Sequence, residues 1–352
     1  MGVGVGVGGG RGVSRPTVVL AMYPGLERLA FRRHHRARLE AVADVADWAP
    51  LGSWDDDRAD ALLARADVLL THWGCPTIDA DVLARAPRLA LVAHTAGTVK
   101  GEGLAIMTRA VLERGVRVTT CAAANAVPVA EYALAAILWA NKDVFARAAV
   151  QQGQVLPEGR PDRSWRVGNW GRRIGVVGAS LVGRALIDLL APFELEVAVY
   201  DPFLSAADAE ALGVTRVDDL VELARTSDVL SLHAPLVPAT VGMISAEVLA
   251  AMPDGATFVN TARAPLVDQG ALVAEVTTGR LDAVLDVTDP EPLPAGHPLL
   301  GLPNVVVTPH VAGSEGTELA RLTECALSEI ECFAAGEPAR HPVTLEAWDR
   351  TA

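Results

Sequence analysis

Arg173-Ile-Gly-Val-Val-Gly178-Ala-Ser180-Leu-Val-Gly183 is an apolar run that breaks on glycine and reopens as a helix over residues 184–190. The run has the length and β-branched content of a buried strand, and the residues after it carry helical spacing. Between them lies a G-x-G-x-x-G frame with one departure, Ser180 at the middle position. Gly178 makes the tight turn and Gly183 lets helix and strand pack closely. The middle position is where backbone approaches a pyrophosphate resting on the helix N-terminus, beside Leu181 and Val182. A β-carbon at Ser180 takes some of that clearance, while its hydroxyl offers a bond to a phosphate oxygen. Such a frame alone is weak evidence. It gains weight from Tyr200-Asp201, where the next strand ends 18 residues beyond Gly183. An acid there accepts hydrogen bonds from ribose hydroxyls and repels a 2′-phosphate, and Pro202-Phe203-Leu204 supplies no arginine. NAD is therefore expected rather than NADP.

Outward from this stretch the chain repeats the same rhythm. Further strands are expected near 196–200, 229–233, 257–260, 283–287 and 305–308. Three of these runs lead to a residue suited to carbonyl chemistry. Ala256-Thr-Phe-Val-Asn-Thr-Ala leads to Arg263, Asp282-Ala-Val-Leu-Asp-Val past Asp286 to Glu291, and Asn304-Val-Val-Val-Thr-Pro to His310. Ligands of open parallel α/β sheets bind beyond the carboxyl ends of the strands, so these groups can meet around one small anion. Upstream, Thr17-Val-Val-Leu-Ala-Met22, Val68-Leu-Leu-Thr-His72, Ala90-Leu-Val-Ala-His94 and Val116-Arg-Val-Thr-Thr120 alternate with helical stretches, the first around 26–42. That is a second, smaller α/β unit. A long helix opens at Asn125, as N-cap, with Pro128 in its first turn. A Gly/Pro/Arg-rich connector follows over 151–170. A last helix, about 315–335, is expected to pack on the first unit.

The expected architecture is two doubly wound parallel-sheet domains, flavodoxin-like and Rossmann, with a cleft between them. Residues 123–314 form the cofactor domain; 16–122 plus 315–352 form the substrate domain; 1–15 is a Gly/Val/Arg tail, expected to be disordered. The 352 residues are 51% apolar and only 5% aromatic, which suits buried βαβ strands. A net charge of −13 argues against a nucleic-acid partner. The basic cluster Arg32-Arg33-His34-His35-Arg36 with Arg38 reads as the solvated face of an early helix. Cys75, Cys121, Cys325 and Cys332 show no CxxC or other metal spacing, so no metal is expected. With no secretory leader visible, free thiols in a reducing cytoplasm are expected. No apolar run reaches the roughly 18 residues of a membrane span, so no membrane partner is expected.

The chain resembles the NAD-dependent D-isomer-specific 2-hydroxyacid dehydrogenases over residues from about 90 to 335. The matching stretches are Asn125-x3-Val129-Ala-Glu131, the modified glycine loop, Tyr200-Asp-Pro202, and Leu232-His-Ala-Pro-Leu236-x3-Thr240. Asn260-Thr-Ala-Arg263-x2-Leu-Val-Asp268, Leu285-Asp-Val-x3-Glu291-Pro and Thr308-Pro-His310-x2-Gly313 complete the set. The resemblance implies reversible reduction of a 2-keto acid to a D-2-hydroxy acid by NADH. Arg263 would hold the substrate carboxylate and polarise its oxo group, a task for a planar fork of donors. His310 would give the proton, its type having a pKa of about 6.5. Glu291 would fix its tautomer and raise its pKa. Asp286 would bind the nicotinamide carboxamide. His233, Ala234, Pro235 and Thr240 would line the adenine side; Thr261, Ala262 and Gly313 would complete the cofactor site.

The turn His94-Thr-Ala-Gly97-Thr98-Val99-Lys100 matches the family's substrate-carboxylate loop, where adjacent N–H groups form an anion nest. It departs from the pattern at Val99 and Lys100. Lys100 or His94 is expected to add positive potential for the substrate's distal group; His72 and Trp73 are further cleft candidates. A homodimer through the cofactor domain and the helix near 128–142 is implied. One alternative is a non-catalytic, corepressor-like or sensor protein on the same scaffold. Another is oxidation of a different substrate such as formate or phosphite, which a His–Glu pair disfavours.

Overall fold

The computed structural model describes residues 15–100 and 105–348. All but the last residue of the glycine-rich tail lies outside them. The chain divides into two compact units. One takes in residues up to Val99, Leu104–Cys121 and Ala320–Leu345; the other is Lys100–Gly103, Ala122–Leu319 and the chain from Glu346. The last residues thus group with the second unit, not with the first as expected. Lys100 meets this segment: its ammonium donates to the carbonyl of Trp348 and lies 4.8 Å from the centre of its ring.

The first unit holds a five-stranded parallel sheet in the order β2-β1-β3-β4-β5. Its strands are β1 (Thr17–Ala21), β2 (Asp44–Val45), β3 (Val68–Thr71), β4 (Leu91–His94) and β5 (Arg117–Thr120). The helix expected over 26–42 is two, Leu26–Ala30 and Arg33–Val42. Between them Arg32 leaves helical geometry (ψ 166°), and its N–H reaches His35 Nδ1 at 3.2 Å, so a local cap wins over continuation. The C-terminal helix, Leu319–Ala334, packs here as expected, with Thr323 Oγ1 donating to Ala30 O at 2.9 Å.

The second unit holds seven parallel strands in the order β12-β11-β10-β9-β6-β7-β8. They are β6 (Arg172–Val177), β7 (Leu195–Tyr200), β8 (Thr215–Arg216), β9 (Val229–Leu232), β10 (Thr257–Asn260), β11 (Asp282–Leu285) and β12 (Val305–Val307). Chain order reverses between β6 and β9, the switch point at which such sheets bind ligands. The register carries more information still. Tyr200, Val177, Leu232, Asn260, Leu285 and Val307 are successive partners across six strands. All six strands therefore end at one level, and the residues next along the chain share one edge.

One face of this sheet is covered by Ala122–Asn141 and Leu181–Leu190, through Ala130, Ala133, Ile137, Leu186 and Leu190 against Ile174, Val176 and Val199. Alanines on that stripe let the long helix come close. By length and composition it is also the one helix, among the described residues, that could cross a membrane, which corrects the reading that no stretch qualifies. Its packed stripe makes it a core helix here. It begins at Ala122, so Asn125 is inside it rather than its cap, and Pro128 is in the second turn. Asn125 is used elsewhere: its Oδ1 accepts the N–H of Ser314 at 3.0 Å.

Candidate active site

The glycine loop follows β6 directly. Gly178 has φ +97°, a left-handed conformation natural to glycine. A β-carbon there would lie 2.8 Å from the Ala234 nitrogen. At Gly183 it would lie 2.1 Å from the Gly178 carbonyl oxygen. Both positions are fixed by the protein's own packing. Ser180 is different. Its φ of −68° suits any residue, and its Oγ caps the helix by accepting the Gly183 N–H at 3.3 Å. The cap uses a lone pair of the hydroxyl and fixes its position on the helix end, while its O–H remains able to donate to a phosphate oxygen. The amides of Leu181 and Val182 open that helix and have no carbonyl a turn behind them.

Asp201 ends β7 as expected, half-buried. Its carboxylate accepts from the Ala179 N–H at 2.7 Å and the Phe203 N–H at 2.8 Å, tying strand end to glycine loop. His233 is more enclosed than Ala234 and Pro235 beyond it. Its ring is buried, with Nε2 on Ser231 Oγ at 2.8 Å, and burial pushes its pKa down to about 4. It packs the strand end, and its Nδ1 is buried without a hydrogen-bond partner among the described residues. Ala234 and Pro235 instead lend main chain: Ala234 against Gly178, and the Pro235 carbonyl to Thr240 Oγ1 at 2.6 Å. Thr240 therefore closes its own loop.

After β10, Asn260 Oδ1 accepts the Ala262 N–H at 2.9 Å, and its amide donates to the Arg263 carbonyl at 3.2 Å. This clamp shapes the turn Thr261-Ala262-Arg263. Thr261 Oγ1 is buried without a hydrogen-bond partner among the described residues. Arg263 donates to the Ala262 carbonyl at 2.7 Å. Burial lowers its pKa, and the Glu291 carboxylate acts against that shift; a guanidinium stays charged throughout.

After β12, the loop over residues 308–312 is held from below by Asp286. Its Oδ1 accepts from Thr308 Oγ1 at 2.7 Å and Val311 N–H at 2.8 Å, and its Oδ2 from Ala312 N–H at 2.9 Å. Its carbonyl takes the His310 N–H at 3.0 Å. The buried carboxylate expected to meet the cofactor is thus largely occupied in shaping the loop. Tyr132 extends the chain, its hydroxyl 2.7 Å from Thr308 Oγ1. On that support His310 adopts φ +56°, a left-handed value uncommon outside glycine, and its Nδ1 lies 2.8 Å from Glu291 Oε1. Facing a carboxylate, Nδ1 carries the hydrogen, leaving Nε2 as the exchangeable nitrogen. Gly313 lies against Asn125, where a β-carbon would stand 3.5 Å from Oδ1. The Ala122–Asn141 helix thus supplies two supports, Asn125 and Tyr132, of which the sequence reading gave Asn125 another role and Tyr132 none.

In the first unit, the turn after β4 is built on His94. Its Nδ1 lies 2.9 Å from Thr71 Oγ1, and the ring also bonds the main chain of Thr98. Val99 is buried, with its carbonyl taking the Ile106 N–H at 3.1 Å. Burial pushes His94 to about 4 and His72 to about 3. Both are neutral near pH 7, which corrects the expectation that His94 adds positive potential.

The model for the D-isomer specific 2-hydroxyacid dehydrogenase NAD binding domain matches residues 134–312. D-3-phosphoglycerate dehydrogenase of Mycobacterium bovis is 38% identical over 301 residues, 82% of this chain and 54% of that protein. Glyoxylate reductase of Korarchaeum cryptofilum is 33% identical over 74% of this chain and 77% of its own length. A phosphoglycerate oxidoreductase structure from Rhizobium etli matches with TM-score 0.74 and 28% identity, covering 94% of this chain and 98% of that one. The chain belongs to the D-isomer specific 2-hydroxyacid dehydrogenase family and carries its NAD-binding domain. It spans about half the length of the phosphoglycerate dehydrogenases it matches. The residues present suit that cofactor: a glycine turn, open helix amides, an acid ending β7, and unspent polar capacity at Thr261.

Proposed function

We infer that this protein catalyses the reversible reduction of a small 2-keto acid to a D-2-hydroxy acid with NADH. The observation that carries the reading is the His310–Glu291 bond of 2.8 Å on the sheet edge that also presents Arg263. Bound NADH supplies the hydride to the carbonyl carbon. His310 gives its Nε2 proton to the carbonyl oxygen, and Glu291 keeps the ring's other nitrogen protonated and steadies the cation in the reverse direction. Arg263 holds the substrate carboxylate and draws charge toward the oxo oxygen as it becomes an alcohol. Gly97, Thr98 and Val99 are assigned to the carboxylate through main-chain amides. A cytoplasmic homodimer formed through the Ala122–Asn141 helix belongs to the same proposal, supported by the exposed Trp139 on that helix.

The test is NADH oxidation with glyoxylate, hydroxypyruvate, pyruvate and longer 2-keto acids. His310→Ala is expected to lower kcat by about 10²- to 10⁴-fold while NADH binding persists. Near-normal turnover in that variant removes the acid–base role. NADH binding with no turnover on any member of the panel favours a sensor instead.

A further inference from the structure

The basic stretch 32–38 departs from its expected solvated character. His35 is fully buried and Arg38 faces the C-terminal helix. From that helix Glu324 brings Oε1 to 3.0 Å from His35 Nε2 and 3.8 Å from His34 Nε2. The three ligand atoms lie within 4.8 Å of one another, and the two rings are 3.9 Å apart.

Two details argue against an ordinary surface ion pair. His35 Nε2 is buried and stands 3.0 Å from the Glu324 carboxylate oxygen without a well-aligned hydrogen bond to it. His35 Nδ1 lies 3.2 Å from the Ala30 carbonyl; donating there leaves the lone pair on Nε2, the tautomer a metal requires. Without a cation the same nitrogen can accept the Arg32 N–H at 3.2 Å, so binding would exchange that capping bond for the one to Ala30. Glu324 is oriented as well. Arg38 grips its Oε2 while bonding Glu331, which leaves Oε1 toward the imidazoles. Glu331 shares Arg38 with Glu324 and also feels Arg340, so Arg38 does not neutralise Glu324 alone.

We propose that His34, His35 and Glu324 bind a divalent cation of the zinc class, joining the Arg33–Val42 helix to the C-terminal helix. Two imidazoles and a carboxylate are borderline ligands that zinc accepts at about 2.0–2.2 Å, with water in the fourth position. His34 is exposed and free to swing the short distance that closes the triangle.

The experiment is calorimetric titration of the intact, chelator-stripped chain with Zn²⁺, alongside thermal unfolding with and without the ion. One saturable site per chain and a raised Tm are expected. His34→Ala and Glu324→Gln should each weaken binding at least tenfold and abolish the rise in Tm, with NADH affinity unchanged. His34 is on the surface, so its variant tests ligation without disturbing the core. Absence of saturable binding overturns the proposal, as does equal affinity in both variants.

Discussion

Asp286 sits beneath the loop that carries His310, and its two oxygens gather three donors from that loop. Hydrogen bonds to a charged acceptor each contribute about 1.5–3 kcal/mol, and a buried donor left without a partner costs a similar amount. Asp286→Asn keeps the volume but turns an N–H toward one of these donors. It is expected to lower Tm by several degrees and kcat at least tenfold, read by thermal unfolding and steady-state kinetics; unchanged kcat would show that the loop holds its shape unaided. Acid sensitivity belongs to this scale too. His72, His94 and His233 have pKa values pushed below the ordinary 6.5, to about 3, 4 and 4. The unfolded chain binds their protons first, so stability is full above about pH 6.5 and falls as pH drops toward 4. The slope is about 1.4 kcal/mol per pH unit for each histidine. Urea midpoints measured at pH 7.5 and pH 5 should differ accordingly, and equal midpoints would count against buried neutral rings.

Among elements, the β6–turn–helix unit separates packing from ligand contact. Gly178→Ala forces a β-carbon into left-handed backbone and onto Ala234, so lost stability and weaker NADH binding are expected together. Ser180→Ala removes a cap worth about 1 kcal/mol and one hydroxyl donor, so NADH affinity is expected to fall less than tenfold, far less than in the glycine variant. Fluorescence titration with NADH checks both, and a large affinity loss in the serine variant would make its hydroxyl a main phosphate contact. The strands of this unit were legible because doubly covered parallel strands read as unbroken Val/Ile/Leu runs. The edge strands β2 and β8, two residues each, are too short for any period to show. The break at Phe31-Arg32 rests on one side-chain bond that helical periodicity does not register. The roles of Asn125 and Tyr132 were hidden for a different reason. Their partners, Ser314 and Thr308, are 189 and 176 residues away in the chain. No local spacing reports a contact that only the sheet's closure creates. Arg263 and His310 were found because each comes three residues after a readable strand, and Glu291 because its motif begins at the end of another.

For the molecule as a whole, the level edge of the seven-stranded sheet has a kinetic consequence. The groups around the cofactor arrive on separate crossovers, from Gly178 to Gly313, and none is in place until its own strand has docked. Parallel pairing closes long loops before it is rewarded, which makes such sheets slow to assemble. Nucleotide capture should then act as a late clock. In refolding from urea, NADH fluorescence enhancement is expected to recover with the slowest phase, after most of the helical circular dichroism has returned. Recovery in step with the helices would mean that a half-built sheet already grips the nucleotide.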